Sequence, residues 1–487
     1  MSSTVSRRAL LGGGSAAAVA ATVGWSGDRS GRQQQGQQGQ HQAARAEPRG
    51  RGRGLKLIKG GYVLTMDPAL GDLPTGEVLI DGDEIVQVAT RVDSHRASRA
   101  EKIDASGMIV MPGLIDNHRH MWESLIRGYA ANLTFDQYFG AVLFGVSPRL
   151  TPDDVFLGNL LGAYEALDSG ITTILDWSHG TNTQEHAVQA IRGLQRSGAR
   201  AVFAYGSPAG NPSPDAPPAP DDVRAAHALL ADDPLVGLAV AGASPEFVDM
   251  GRVAADIALA RELGVNITMH ALGGPAGSSP RLLDDAGLMG SDLTFIHCNA
   301  FTRDDFELVA AHGAHISSAP EVEMQMGLGA SPLTLMLASG INPTVSVDIV
   351  AAVGGDLFNP LRFILQTQRM FDHLAALENG APLPSLPVST RDVLPYATTH
   401  SAASLGLADR IGSLTPGKQA DVTLVSALDL NMFLAEPSAA LVQAAHPGNV
   451  DTVLVAGRVV KRHKELVDVD LAPLRRKAQR ASQRLLA

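Results

Sequence analysis

Two textures of apolar and polar positions alternate along this chain. Near the start, Leu55 to Ile58, Tyr62 to Met66, Glu77 to Ile80 and Glu84 to Ala89 are short β-rich stretches separated by Gly and Asp turn signals. The same texture returns at Asp421 to Val425 and at Thr452 to Val460, beside the turn Thr415-Pro416-Gly417. The two ends are therefore predicted to pair into one small β-sandwich domain, residues 54–111 with 407–465.

Between them the pattern changes to apolar, β-branched runs alternating with amphipathic helical stretches, the signature of parallel strands buried on both faces. Eight such runs stand out: Ile109 to Ile115, Thr172 to Asp176, Ala201 to Tyr205, Val236 to Val240, Asn266 to His270, Leu293 to His297, His315 to Ser318 and Thr344 to Asp348. Helices are predicted at Asp153 to Leu167, Gln184 to Gln195, Gly251 to Leu263, Arg303 to Ala311 and Phe358 to Met370. Eight strand and helix units close a (β/α)8 TIM barrel, here residues 112–406. An open doubly wound sheet is the alternative, but no glycine-rich phosphate fingerprint follows the first strand. A basic stretch, Leu471 to Leu486 within residues 466–487, reads as a solvated closing helix.

Composition narrows the partners. The 487 residues carry a formal charge of −11, with 45% hydrophobic and 18% charged positions. No basic stripe offers a nucleic-acid surface, and no apolar run approaches the roughly 20 residues of a membrane span. A small molecule is the expected partner, and a homo-oligomer the expected assembly. The single cysteine, Cys298, permits no internal disulfide and by itself suggests a reducing compartment. The first 53 residues point elsewhere. Arg7-Arg8 precedes an Ala/Gly-rich apolar stretch, then a Gln/Gly tract from about Gly31 to Gln42 and an A-x-A site at Ala44-Arg45-Ala46. That order is the pattern of a twin-arginine export signal followed by a disordered linker. Export of a folded, disulfide-free protein reconciles the two; without a working signal the protein stays cytoplasmic.

The candidate chemistry begins just past the first barrel strand. In extended chain, alternate side chains share a face, so His118 and His120 converge while Arg119 faces away. An H-x-H pair alone is common by chance. His270, His297 and Asp348, however, end the fifth, sixth and eighth predicted strands, and barrel active sites gather at such ends. His41, His95, His186, His227, His312, His373, His400, His446 and His463 lack that placement and read as surface residues.

With PGLIDNHRH at Pro112, GITTILD at Gly170, TMHA at Thr268, FIHCNAF at Phe295, VSVD at Val345 and GSLTPGKQADVTLV at Gly412, the chain resembles the amidohydrolase superfamily from about Leu55 to Lys461. Within it, the deaminase and triazine-hydrolase branch is the most similar. The resemblance implies that His118, His120, His270 and Asp348 bind one divalent metal ion, zinc first and iron second, and that His297 contacts the attacked group or the water. Some relatives bridge two metals with a carboxylated lysine. No lysine lies between Lys102 and Lys418, so that bridge is impossible here, and only Glu246 offers a carboxylate route to a second ion.

A divalent ion with an open position lowers the pKa of its water toward about 7. Asp348 is placed to accept that proton and pass it on, and His297 to steady developing charge. The branch usually carries a glutamate shortly after the strand-five histidine, but here Ala271-Leu272-Gly273-Gly274-Pro275 follows His270. Glu321, Glu323 and His179 are replacement donors or ordinary loop residues. Trp122 and Trp177 are pocket walls or core. The expected function is hydrolysis of a non-peptide C–N bond in a cyclic or heterocyclic amide, amidine or amine. A triazine-type chlorohydrolase or N-alkylamine hydrolase, and a catalytically silent metal- and ligand-binding relative, are the alternatives.

Overall fold

A computed structural model describes residues 52, 54–209, 219–274 and 277–487. The Arg7-Arg8 segment, the Gln/Gly tract, the A-x-A site and His41 lie outside the described residues. No helix among the described residues is long and apolar enough to cross a membrane.

The first five strands are β1 (Leu55–Val63), β2 (Leu73–Asp81), β3 (Glu84–Ala89), β4 (Glu101–Asp104) and β5 (Met108–Pro112). The barrel strands are β6 (Leu114–Arg119), β7 (Ile171–Ser178), β8 (Arg200–Gly206), β9 (Val236–Ala241), β10 (Ile267–Ala271), β11 (Leu293–His297), β12 (His315–Ser318) and β13 (Thr344–Val345). The last four are β14 (Val422–Ser426), β15 (Val450–Val455), β16 (Arg458–Arg462) and β17 (Glu465–Leu466). The chain ends share one sheet in the order β17-β16-β15-β14-β5-β1-β2-β3, with β4 beside β1. The joint is antiparallel β14 on β5, from Val422 opposite Pro112 to Ser426 opposite Met108. Alternate apolar positions, Ile58, Val78, Ile80, Val110, Val422, Leu424 and Leu454, pack there into one buried cluster.

Four predicted strands are merged, folded back or divided. Leu55 to Ile58 and Tyr62 to Met66 belong largely to one strand, β1, whose register slips around Gly61. Gly60 sits there at φ 86°, a conformation that suits glycine and the bulge. Thr452 to Val460 folds back as a hairpin, because Ala456 and Gly457 adopt φ 44° and 70°, the left-handed pair that tight hairpin turns need. Ile109 to Ile115 divides at Gly113: β5 stays in the end sheet and β6 starts the barrel. A Cβ at Gly113 would stand 2.1 Å from Thr172 Oγ1, so the handover requires glycine.

Strands β6 to β13 form an eight-stranded parallel sheet in sequence order, and it closes as a TIM barrel. The closing contacts come from Asp348, whose N–H donates to His118 O at 3.0 Å and whose carbonyl accepts from His120 N–H at 3.1 Å. Asp116 supports this seam by accepting from Val347 N–H at 3.1 Å and Arg119 Nε at 2.8 Å. Asn117 links it to β13, donating to Thr344 Oγ1 at 2.5 Å. The predicted helices form with Arg303–Ala311 and Leu471–Leu486 at their expected bounds, while the helix at Phe358 runs on to Glu378. The helix Pro152–Asp168 starts with a capping box, Thr151 with Asp154, and Pro152 at its first turn. The closing helix is mostly exposed, as expected, but Leu485 is buried and Arg484 pairs with Asp154. His186 is also buried, against expectation, because its Nε2 donates to Leu150 O at 3.0 Å.

At the barrel's other end, Arg200 Nε and Nη2 donate to Asp421 at 2.8 and 3.0 Å, both residues being buried. This bidentate pair ties β8 to the turn before β14. Removing one partner of a buried ion pair costs about 3–5 kcal/mol. Arg200→Met should therefore lower unfolding stability by about 3 kcal/mol in denaturant titrations, and an unchanged midpoint would refute the role of this tie.

Candidate metal centre

The end of β6 carries His118, His120 follows the strand's last residue, and the chain beyond β13 brings Asp348 across the seam. Asp348 Oδ1 lies 3.0 Å from His118 Nε2 and 3.2 Å from His120 Nε2. With His270 from β10, the ligand atoms of all four residues fall within 4.8 Å of one another. Trp177 O accepts a hydrogen bond from His120 Nδ1 at 2.8 Å, which puts the proton on Nδ1 and leaves the Nε2 lone pair facing the cluster. Burial lowers the His118 pKa to about 4, against the pull of Asp348. Burial, then the neighbouring His118 and His297, hold His270 well below the usual range. Burial opposes charge on His120 as well, but its hydrogen bond to Asp348 raises it overall. Asp348 stays well below the carboxylate range because His118 and His120 outweigh its burial.

This donor set fits a divalent cation. Three imidazole nitrogens and a carboxylate converge in a largely buried site, and Asp348 Oδ2 is buried without a hydrogen-bond partner among the described residues. Lone pairs brought together this way repel unless a cation sits among them. The backbone is strained at the same place: His297 and Asp348 have φ 75° and 67°, conformations that cost non-glycine residues about 1–3 kcal/mol. The ladder bonds of the seam hold Asp348 in that conformation, and the neighbouring Cys298 N–H bond to Ala271 O at 2.8 Å holds the His297 corner.

The replacement donors proposed from sequence take different places. His297 Nε2 stands 3.8 Å from Asp348 Oδ2, at the cluster as expected. Glu323 is fully buried behind it, 3.3 Å from His297 Nδ1, and accepts from Asn299 Nδ2, Ala319 N–H and Ser331 Oγ at 3.2, 2.7 and 2.5 Å. Its oxygens are thus engaged in positioning His297 and the loop. Glu321 faces Asp356 and Arg362 instead; burial and then Asp356 push its pKa up to about 7 against Arg362. Trp122 is fully buried, and its indole N–H donates to His179 Nδ1 at 2.9 Å. His179 stacks on His120 with ring centroids 4.1 Å apart. Trp177 remains partly exposed and lies 4.4 Å from the His270 ring.

The amidohydrolase family profile matches residues 109–460, which span every strand of the barrel and the joint to the end sheet. The chain belongs to the amidohydrolase family. It is a hydrolase of carbon–nitrogen bonds other than peptide bonds. Over 88% of this chain and 99% of the relative, it is 30% identical to a 5-methylthioadenosine/S-adenosylhomocysteine deaminase from Desulforudis audaxviator. It is 28% identical to a 5'-deoxyadenosine deaminase from Methanosarcina mazei, over 88% and 98% of the two chains. Among solved structures, an adenosine deaminase from Xanthomonas campestris with bound zinc superposes with a TM-score of 0.77 at 24% identity, covering 89% and 99% of the chains. An atrazine chlorohydrolase from Arthrobacter aurescens, complexed with zinc and atraton, gives 0.76 at 23%, covering 88% and 99%. These two likenesses speak for the fold.

In this amidohydrolase Glu246 is not available to a second metal. It accepts from the N–H groups of Leu272, Gly273 and Ser279 at 2.8, 3.0 and 3.0 Å, and from Ser279 Oγ at 2.7 Å, so it braces the loop after β10. Two other carboxylates near the cluster escaped the sequence reading. Glu123 is fully buried and accepts from Tyr138 OH at 2.5 Å; burial, opposed by His120, raises its pKa to about 7. Asp176, near the end of β7, accepts from Asn159 Nδ2 at 2.6 Å, and burial raises it to about 7 as well. The available signal for Glu123 was its place three residues after His120. Purified amidohydrolase should contain roughly one divalent cation per chain by elemental mass spectrometry, and His270→Ala or Asp348→Asn should reduce it. Full metal content in both variants would refute the proposed ligand set.

Proposed function

We propose that this amidohydrolase is an aminohydrolase that replaces the exocyclic amino group of an electron-poor nitrogen heterocycle with oxygen from water, releasing ammonia. The observation that carries this reading is the largely buried cluster of His118, His120, His270 and Asp348 at the C-terminal mouth of the barrel, with His297 beside it. The relatives named as deaminases of adenosine derivatives, aligned over most of both chains, support an amino leaving group. Zinc is the proposed cation, in keeping with the zinc named in the solved adenosine deaminase and chlorohydrolase. When bound, it supplies Lewis acidity that makes water a nucleophile near neutral pH.

The chain's own groups have separate tasks. His118, His120 and His270 hold the cation as neutral ligands, His120 being oriented by Trp177 O. Asp348 accepts a proton from the attacking water on its free oxygen and returns it to the departing nitrogen, which balances the hydrolysis without another acid. His297, held from behind by Glu323, steadies charge developing at the attacked carbon. Burial keeps bulk water out, so each of these interactions acts in a low dielectric. A halide or N-alkylamine leaving group on a triazine is the second reading. It is favoured by Ala271-Leu272-Gly273, where no acid follows His270 and Glu246 occupies the backbone donors; a halide leaves without protonation. Export through the twin-arginine segment, a small-molecule substrate and self-association complete the proposal.

Metal-replete enzyme should release ammonia from at least one member of a panel of adenosine derivatives and amino-triazines, and Asp348→Asn should lower kcat by about 10²- to 10⁴-fold. Halide release from chlorotriazines without ammonia from any amine would instead select the second reading. Glu323→Gln, which puts a donor where Glu323 only accepts, should cost about 10- to 100-fold in kcat/KM with the metal content unchanged. Full activity in that variant would show that Glu323 does not position His297.

A further inference from the structure

His179 lies just past the end of β7, at the same mouth as the metal cluster, and is 5% exposed. Its Nδ1 accepts the indole N–H of Trp122 at 2.9 Å. An indole N–H can only donate, so His179 Nδ1 must carry a lone pair, and the ring's single proton must sit on Nε2. Trp122 is itself locked in the core, fully buried, so it cannot turn to release this tautomer. The opposite edge of the ring is unmet: Nε2 is buried and has no hydrogen-bond partner among the described residues. The ring lies nearly parallel to His120, 20° between planes and 4.1 Å between centroids, with Trp177 at 5.7 Å. A buried N–H donor without an acceptor is unfavourable and is nearly always met by something. Beside a metal cluster, a ring of the substrate is the natural occupant.

We propose that the Nε2–H of His179 is a specificity-determining hydrogen-bond donor to the substrate, restricting the site to heterocycles with an acceptor, a ring nitrogen or carbonyl oxygen, adjacent or peri to the reacting carbon. Trp122 is the positioning residue that fixes this donor. The proposal rests on the aminohydrolase reading for the identity of the ring. It also gives Trp122 a part in recognition without contact with the ligand.

The test uses zinc-loaded full-length protein and three probes without a leaving group: purine riboside and its 1-deaza and 7-deaza analogues. Calorimetry should show purine riboside bound at least about ten-fold more tightly than one of the deaza analogues, the gap expected when a buried donor loses its acceptor. His179→Phe should abolish that preference and His179→Gln, which keeps a donor, should retain part of it. Trp122→Phe should weaken it with zinc content unchanged. In wild-type protein, ¹⁵N shifts of labelled histidine should show His179 protonated at Nε2 and bare at Nδ1. A preference that survives in His179→Phe, a proton on Nδ1, or failure of all three probes to bind would overturn the proposal. Loss of the preference in His179→Phe, in an enzyme that deaminates nothing in the amine panel, would leave it standing while the aminohydrolase reading falls.

Discussion

Two backbone hydrogen bonds at Asp348 decide where the chemistry of this protein lies. They run from Asp348 N–H to His118 O and from His120 N–H to Asp348 O, and they join the first barrel strand to the chain beyond the last. His118 and Asp348 stand 230 positions apart. Without that seam the barrel would be an open sheet, and the carboxylate would have no reason to meet the imidazoles. Closure and ligand assembly are therefore one event, and the left-handed backbone of Asp348 is held by the bonds that close the barrel. Ordering residues so distant is entropically costly, which explains why Asp116, Asn117 and Arg119 are buried alongside to reinforce the seam.

Around the cluster, three of the rings are aimed by groups that never reach the centre. Trp177 O sets the His120 tautomer, Glu323 stands behind His297, and Trp122 sets His179. This matters because a metal site works through geometry held to within a fraction of an ångström. It also accounts for carboxylates that look catalytic in sequence but are spent on support. Glu323 has both oxygens engaged, and Glu246 holds three backbone N–H groups of the loop after β10. No carboxylate stands in Ala271-Leu272-Gly273-Gly274-Pro275 after His270, and the carboxylate of Glu246 serves backbone N–H groups of that loop.

Local pattern was enough to read much of the fold. Buried parallel strands declare themselves as short β-branched runs, and Leu293 to His297 and His315 to Ser318 formed at the positions their sequence implied. The partition failed where both sides of a boundary were equally apolar. Ile109 to Ile115 reads as one strand, yet Gly113 passes it between two sheets because its Cα packs against Thr172. His186 shows the converse error: nothing in its neighbourhood signals burial, because its partner is the carbonyl of Leu150 on another segment.

The sequence by itself placed His270 and His297 at the ends of β10 and β11, and put His118, His120 and Asp348 close to the ends of β6 and β13 without fixing those ends, Asp348 lying past the last residue of β13. Alternation and strand length are properties of a few consecutive residues. It also excluded a lysine bridge by simple absence. Only the tertiary structure decided which carboxylates face the metal site and which face the scaffold, which histidine edge carries the proton, and that Trp122 belongs to the core. Those outcomes depend on burial and on hydrogen-bond partners supplied by strands far away in the chain, and a one-dimensional pattern holds no record of the distance between them.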